Sequence, residues 1–232
     1  SRDMPTIVKT RIIARQQQVV RVDREKRCAV SAETLASAVQ RISSLLPEVD
    51  GVISEDYGKG FLSQGFVDEV AGLARKAGKV LTADPNPGNP LEWHDITTLK
   101  PNRSEAFAMA GKTDPGAGDD PLTDGPLLEV GAILLGQFRI PSLLITLGEH
   151  GMLLLDEGQP PYHTPTRARE VFDVSGAGDT AIALFTLALC AGGTPQEAAE
   201  ISNHASGVVV GKLGTATLTP EELLASLENH VF

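Results

Sequence analysis

The sequence predicts a three-layer α/β/α fold: one domain over residues 1–232, with a mostly parallel central sheet between helices. Three observations predict it. Short apolar runs such as "GVIS" and "KVLTAD" end in turn residues, as strands buried on both faces do. Longer amphipathic segments separate them, which is the pattern of helices covering both faces of a sheet. The chain is 41% hydrophobic but only 4% aromatic, so its core is built from Leu, Val, Ile and Ala.

Residues 6–23 alternate polar and apolar well enough for two strands. Ser31–Leu46 places Leu35, Ala38, Val39, Ile42 and Leu45 on one helical face. "GVISEDYGKG" reads as a strand and a loop, and Phe61–Ala77 as a helix stopped by Gly78. "KVLTADPNPGNP" is a strand entering a Pro/Gly loop, and "DITTLKPN" another strand. Arg103–Ala110 is a helix that Gly111 ends, and "SLLITLGEHGMLLLD" is strand, turn and strand. Helices are predicted near 178–191, 195–211 and 220–229.

Composition excludes several functions. A net charge of −10 argues against nucleic-acid binding, which calls for a basic surface. The longest apolar stretch, Ala181–Ala191, is too short for a membrane span of about 20 residues. The start "SRDMPTIVKTR" has no apolar signal core, so a cytoplasmic location is expected. It also reads as strands already under way, and a preceding N-terminal portion is expected to be missing. Cys28 and Cys190 fit two free thiols rather than a metal site. His94, His150, His163, His204 and His230 are scattered without metal-ligand spacing.

Gly-Ala-Gly-Asp occurs twice. The first copy, Gly116–Asp119, is flanked by Pro115 and Pro121 and reads as a solvent turn. The second opens a run, Thr180–Cys190, free of Pro and Gly until Gly192. Gly176, Ala177 and Gly178 therefore sit at a helix N-terminus, where unpaired amides and the helix dipole favour an anion. Asp179 in the first turn could take a proton from an attacking hydroxyl while those amides hold a phosphoryl group. A glycine-rich helix cap is the plain structural alternative.

Asn102 and Glu105 are spaced as a capping box, or as a carboxylate that orders Mg²⁺ through water near ATP phosphates. Thr146, Gly148 and Gly151 form either a hairpin turn or a loop beneath a nucleotide. "GVVVGKLGTAT" is a helix end with a glycine loop, or the wall of an adenine pocket. "AGKTD" is not a P-loop, because Ala106 stands where that motif requires glycine.

Taken in order, Asn-x-x-Glu, Thr-x-Gly-x-x-Gly, Asp-x-x-Gly-Ala-Gly-Asp and Gly-Lys-x-Gly-Thr resemble the ribokinase-like (PfkB) sugar kinases. The resemblance is strongest to kinases of D-glycero-β-D-manno-heptose 7-phosphate, through "VKTRIIARQQQVVRVD", "SEDYGKG", "LKPNRSE", "FDVSGAGDT" and "GVVVGKLGTAT". It implies an N-terminally incomplete ribokinase-like domain with remnants of a small β-lid, residues 1–25 being strands that lead into the core, and homodimers. It implies Asp179 as catalytic base and Gly176, Ala177 and Gly178 as anion hole. Asn102 and Glu105 would serve Mg²⁺ and the triphosphate of ATP. Thr146, Gly148 and Gly151 would line the nucleotide site, with Asn203, Lys212, Gly214 and Thr215 near adenine and ribose. Asp173 and Val174 match a monovalent cation site, such as one for K⁺. Lys59, Asp84 and Asn86 lie on loops that could face the sugar. The implied reaction phosphorylates the anomeric hydroxyl to give the 1,7-bisphosphate, in lipopolysaccharide core synthesis. Alternatives are a PfkB kinase of another sugar or a nucleoside, and a non-catalytic nucleotide-binding remnant.

Overall fold

The computed structural model describes residues 6–14, 17–25, 30–168 and 170–228; Cys28 and His230 lie outside them. A six-stranded sheet runs through the body in the order β3 (Gly51–Glu55), β4 (Val80–Asp84), β5 (Thr98–Leu99), β6 (Ser142–Thr146), β7 (Met152–Asp156), β8 (Tyr162–Thr164). The first four strands are parallel, β7 runs antiparallel to β6, and β8, antiparallel to β7, resumes the direction of the first four. The mostly parallel sheet expected from the sequence is therefore present.

Side-chain alternation on β6 and β7 divides the core into two layers. Leu143, Ile145, Leu153 and Leu155 face one side with α2 (Gln64–Lys76), α3 (Arg103–Met109) and α4 (Gly125–Phe138). Leu144, Met152 and Leu154 face the other, against Ala181, Phe185 and Ala188 of α5 (Ala177–Cys190) and Ala198 and Ala199 of α6 (Pro195–Val210). Alanines at these helix positions let α5 and α6 approach closely, and Ser202 ties them by donating to the Ala181 carbonyl at 2.9 Å. The helix α7 (Pro220–Glu228) closes the chain, and α1 (Ala32–Leu45) packs on α2 through Val39, Phe66 and Val70.

Two elements were not foreseen. The helix α4 begins with Asp124 accepting from the Leu127 amide and Pro126 in its first turn. The strand β8 is three residues long. The helix α2 starts at Gln64, three residues later than the sequence pattern suggests.

The strands β1 (Val8–Ala14) and β2 (Gln17–Arg24) form a separate antiparallel ribbon with a register shift between Ile12 and Ile13. It meets the body where Arg11 donates to the Thr215 hydroxyl at 3.4 Å and Lys9 lies 5.6 Å from the centre of the Tyr57 ring. Among the described residues no helix is long and apolar enough to cross a membrane.

Candidate active site

The parallel register brings the carboxyl ends of β3, β4, β5 and β6 to one rim of the sheet. Glu55 pairs with Asp84 across β3 and β4, Lys100 comes directly after β5, and Asn102 bridges to Thr146 at the end of β6. Ligands of such sheets bind at this rim.

The N-terminus of α5 points into it. Gly176 caps the helix at φ 85°, a left-handed conformation that glycine adopts without strain. The Ala177 amide donates to the Val174 carbonyl at 3.2 Å, and the Thr180 amide to Gly176 at 2.9 Å. Among the described residues, neither the Gly178 nor the Asp179 amide has an acceptor. The second Gly-Ala-Gly-Asp is thus a helix start with free donors. The first copy is an irregular turn, as expected: α4 starts only at Gly125, and Arg103 tethers the turn by donating to the Gly116 carbonyl and to Asp114 and Asp124.

Two cavities flank this helix start. The first, about 690 Å³, is lined by Thr146, Gly148, Gly151, Ala177, Gly178 and Asn203 among others. The second, about 490 Å³, is lined by Gly176, Asp179, Lys59, Tyr57, Glu55 and Thr215 among others. One turn of helix therefore offers Ala177 and Gly178 to one cavity and the Asp179 carboxylate to the other.

The walls are built tightly. Gly151 has φ 84°, and a Cβ there would lie 2.1 Å from the Thr164 carbonyl oxygen. Asn203, only 3% exposed, spends its amide on the Thr164 hydroxyl at 2.9 Å and the Pro165 carbonyl at 2.7 Å. It holds the wall of the first cavity by its side chain.

Asn102 and Glu105 form the capping box of α3: the Glu105 amide donates to Asn102 Oδ1 at 2.9 Å, and Glu105 Oε2 accepts from the Asn102 amide at 2.7 Å. Burial pushes the Glu105 carboxyl up, although the Asn102 amide draws it down. Lys212 is engaged with the Thr217 carbonyl at 2.8 Å and Glu222 at 2.6 Å, and Gly214 turns the loop after it. Thr215 lines the second cavity, on the Asp179 side. Asp173 accepts from the Ser175 amide at 2.8 Å, next to exposed Val174. Lys59 lines the second cavity while paired with Glu25 at 2.7 Å. Asn86 instead caps its own Pro-rich turn, accepting from the Gly88 amide at 2.9 Å.

Asp84 is ion-paired with Lys100 at 2.9 Å. Burial raises its carboxyl in spite of that pairing. Sequence reasoning missed Lys100, Glu55 and Tyr57. Tyr57 donates to Glu55 at 2.9 Å; burial and the neighbouring carboxylate push the phenol up, and burial raises Glu55 in turn. A lysine at the end of a buried strand was the available signal, because a buried ammonium requires an anionic partner.

Comparison with known proteins identifies the family and the fold. The profile of the pfkB family carbohydrate kinases matches residues 25–222. The chain is 42% identical over 220 residues to the Bifunctional protein HldE of Erwinia tasmaniensis, covering 94% of this chain and 43% of that protein. It is 38% identical over 226 residues to the protein of the same name from Desulfatibacillum aliphaticivorans, covering 97% and 45%. The chain thus spans less than half the length of these curated relatives. Among solved structures, Arabidopsis thaliana ribokinase complexed with ribose and ATP superposes with a TM-score of 0.67 at 21% identity, over 86% of this chain and 60% of that one. Phosphofructokinase-2 from Escherichia coli in complex with substrates and products gives 0.70 at 14% identity, over 96% and 70%. These likenesses establish the ribokinase-like fold.

Proposed function

Because the chain belongs to the pfkB family of carbohydrate kinases, we propose that it transfers the γ-phosphoryl group of ATP to the anomeric hydroxyl of D-glycero-D-manno-heptose 7-phosphate. The observation that carries this reading is the single turn of α5 standing between two cavities. ATP occupies the cavity of Gly148, Gly151 and Asn203, and the sugar occupies the cavity of Lys59 and Tyr57. The choice of heptose rests on the sequence resemblance and on the identity to the HldE proteins.

The placement of these groups sets the chemistry. Asp179 takes the proton of the anomeric hydroxyl as its oxygen attacks the γ-phosphorus. The bond from that phosphorus to the β–γ bridging oxygen breaks, and ADP leaves from the far side. The amides of Gly178 and Asp179 hold the charge on the transferring group, which positioning and electrostatics stabilise more than covalent chemistry does. Mg²⁺, if bound with ATP, would supply charge to offset the phosphates. Glu105 fits that ion through water, since its Oε1 is uncommitted among the described residues and Mg²⁺ keeps several waters beside one or two carboxylates. A monovalent cation would lie against Asp173 and the Val174 carbonyl, both oxygen donors. Homodimers through the ribbon, with exposed Val8, Ile12, Val20 and Val22, and a cytoplasmic site of action belong to the same reading.

A panel of sugars and nucleosides with Mg-ATP tests the substrate. Preference for the heptose 7-phosphate is expected. Faster turnover of ribose, a fructose phosphate or a nucleoside would reassign the acceptor.

A further inference from the structure

We propose that Lys100 is a second source of charge for the phosphoryl group, facing it across the bare backbone of Gly178 and aimed there by Asp84. This rests on the kinase reading above.

Lys100 comes directly after β5, and its amide donates to the Ala83 carbonyl at 2.8 Å, which fixes the stem against β4. The residue is only 4% exposed. Its ammonium carries three donors. Among the described residues its one ion-pair partner is Asp84, at 2.9 Å. A buried ammonium with donors left over is costly unless something anionic reaches it.

The neighbourhood says where that anion would be. A Cβ added to Gly178 would stand 3.6 Å from Lys100 Nζ. The missing side chain at 178 thus leaves no side-chain atom of that residue between the ammonium and the same helix start whose amides lack acceptors. Other groups around it are acidic: Glu55, Glu105 and Asp179 act electrostatically on Asp84, Lys100 or each other. Three cations line the second cavity, and each is engaged elsewhere: Lys59 pairs with Glu25, Arg11 donates to the Thr215 hydroxyl, and Lys9 lies over the Tyr57 ring. A triphosphate brought to this rim would meet three carboxylates and, in Lys100, one buried cation to offset them. Lys100 contributes charge and hydrogen bonds while the transferred proton goes to Asp179. Asp84 is then a positioning residue.

The competing role is a purely structural ion pair. Two variants separate the roles. Lys100→Met leaves Asp84 buried without its partner, while Lys100→Met with Asp84→Asn removes both charges together. Mg-ATP and Mg-ADP affinities are measured by calorimetry, with a melting curve for each protein. We expect the double variant to melt near the wild type, to lose at least about tenfold in ATP affinity, and to hold ADP within about twofold. A folded double variant that binds ATP as the wild type does would overturn the proposal and leave the kinase reading standing. A wild-type chain that binds neither nucleotide would overturn both.

Discussion

Replacing Gly151 with alanine separates the cost of backbone conformation from that of close approach. Gly151 has φ 84° and ψ −129°, a region essentially reserved for glycine, and strain there is worth about 1–3 kcal/mol. The added methyl would also meet backbone: the Thr164 oxygen at 2.1 Å, and the Pro165 carbonyl carbon and Thr166 nitrogen at 2.7 Å. Backbone cannot swing aside as a side chain can, so overpacking adds about 1–3 kcal/mol. Together we predict a loss of about 2–6 kcal/mol. Gly148 is the internal control. It has φ 60°, but a Cβ there would meet nothing within 4 Å. Its alanine variant should cost about 1–2 kcal/mol from conformation alone. Urea denaturation of both variants gives the difference, and a chain of this length should lose about 2–4 °C of melting temperature per kcal/mol. Equal losses for Gly148→Ala and Gly151→Ala would refute the reasoning, because they would mean that the β8 backbone does not press on Gly151.

Further predictions concern separate parts of the site. Glu105→Gln should preserve the α3 cap, since glutamine also accepts at that position, and change stability by less than about 0.5 kcal/mol. Its kcat with Mg-ATP should nevertheless fall, and unchanged kcat would assign Glu105 to capping alone. Arg103→Met should cost about 3 kcal/mol by stranding Asp124, whose side chain is 5% exposed. Arg103 hydrogen bonds hold Asp114 below the ordinary carboxylate range; at Asp124 burial pulls upward, and Arg103 together with the Gly118 and Leu127 amides outweighs it. Folded values below unfolded ones mean stability present above the unfolded carboxylate pKa and lost as pH falls through the folded values. Denaturation midpoints across the acid range should therefore fall less steeply in Arg103→Met than in the wild type, and parallel curves would count against the coupling.

Much of the fold was legible because its strands and helices announce themselves by period. The six apolar residues in Leu143–Ile145 and Leu153–Leu155 serve both faces of the sheet, so they read as continuous runs. The helix α4 was not legible, and its residues explain why. It holds three glycines, at 125, 131 and 136, and Pro126, all of which read as breakers. Pro126 is tolerated because the first turn needs no amide donor. Gly131 packs against β7, where a Cβ would lie 2.0 Å from Leu155 Cδ1 and that side chain would have to shift, a tertiary contact that local sequence does not display. At the site, Asp179 and its glycines were readable because an unbroken helical run, Thr180–Cys190, comes directly after them. Lys100, Glu55 and Tyr57 were not, because parallel pairing of β3, β4 and β5 brings them together from separate segments. The capping box at Asn102 and Glu105 is formed as spacing alone suggested, and the position beside Thr146 comes from the sheet.

The most direct measurement is ADP release from Mg-ATP with D-glycero-D-manno-heptose 7-phosphate, run beside Asp179→Asn. Removing a positioned base should cost about 10²–10⁴-fold while leaving fold and ATP binding intact. We predict turnover by the wild type and that loss in the variant. Equal turnover in both would contradict Asp179 as the base, and a folded wild-type chain that binds ATP but turns over no sugar would contradict the kinase assignment for this chain.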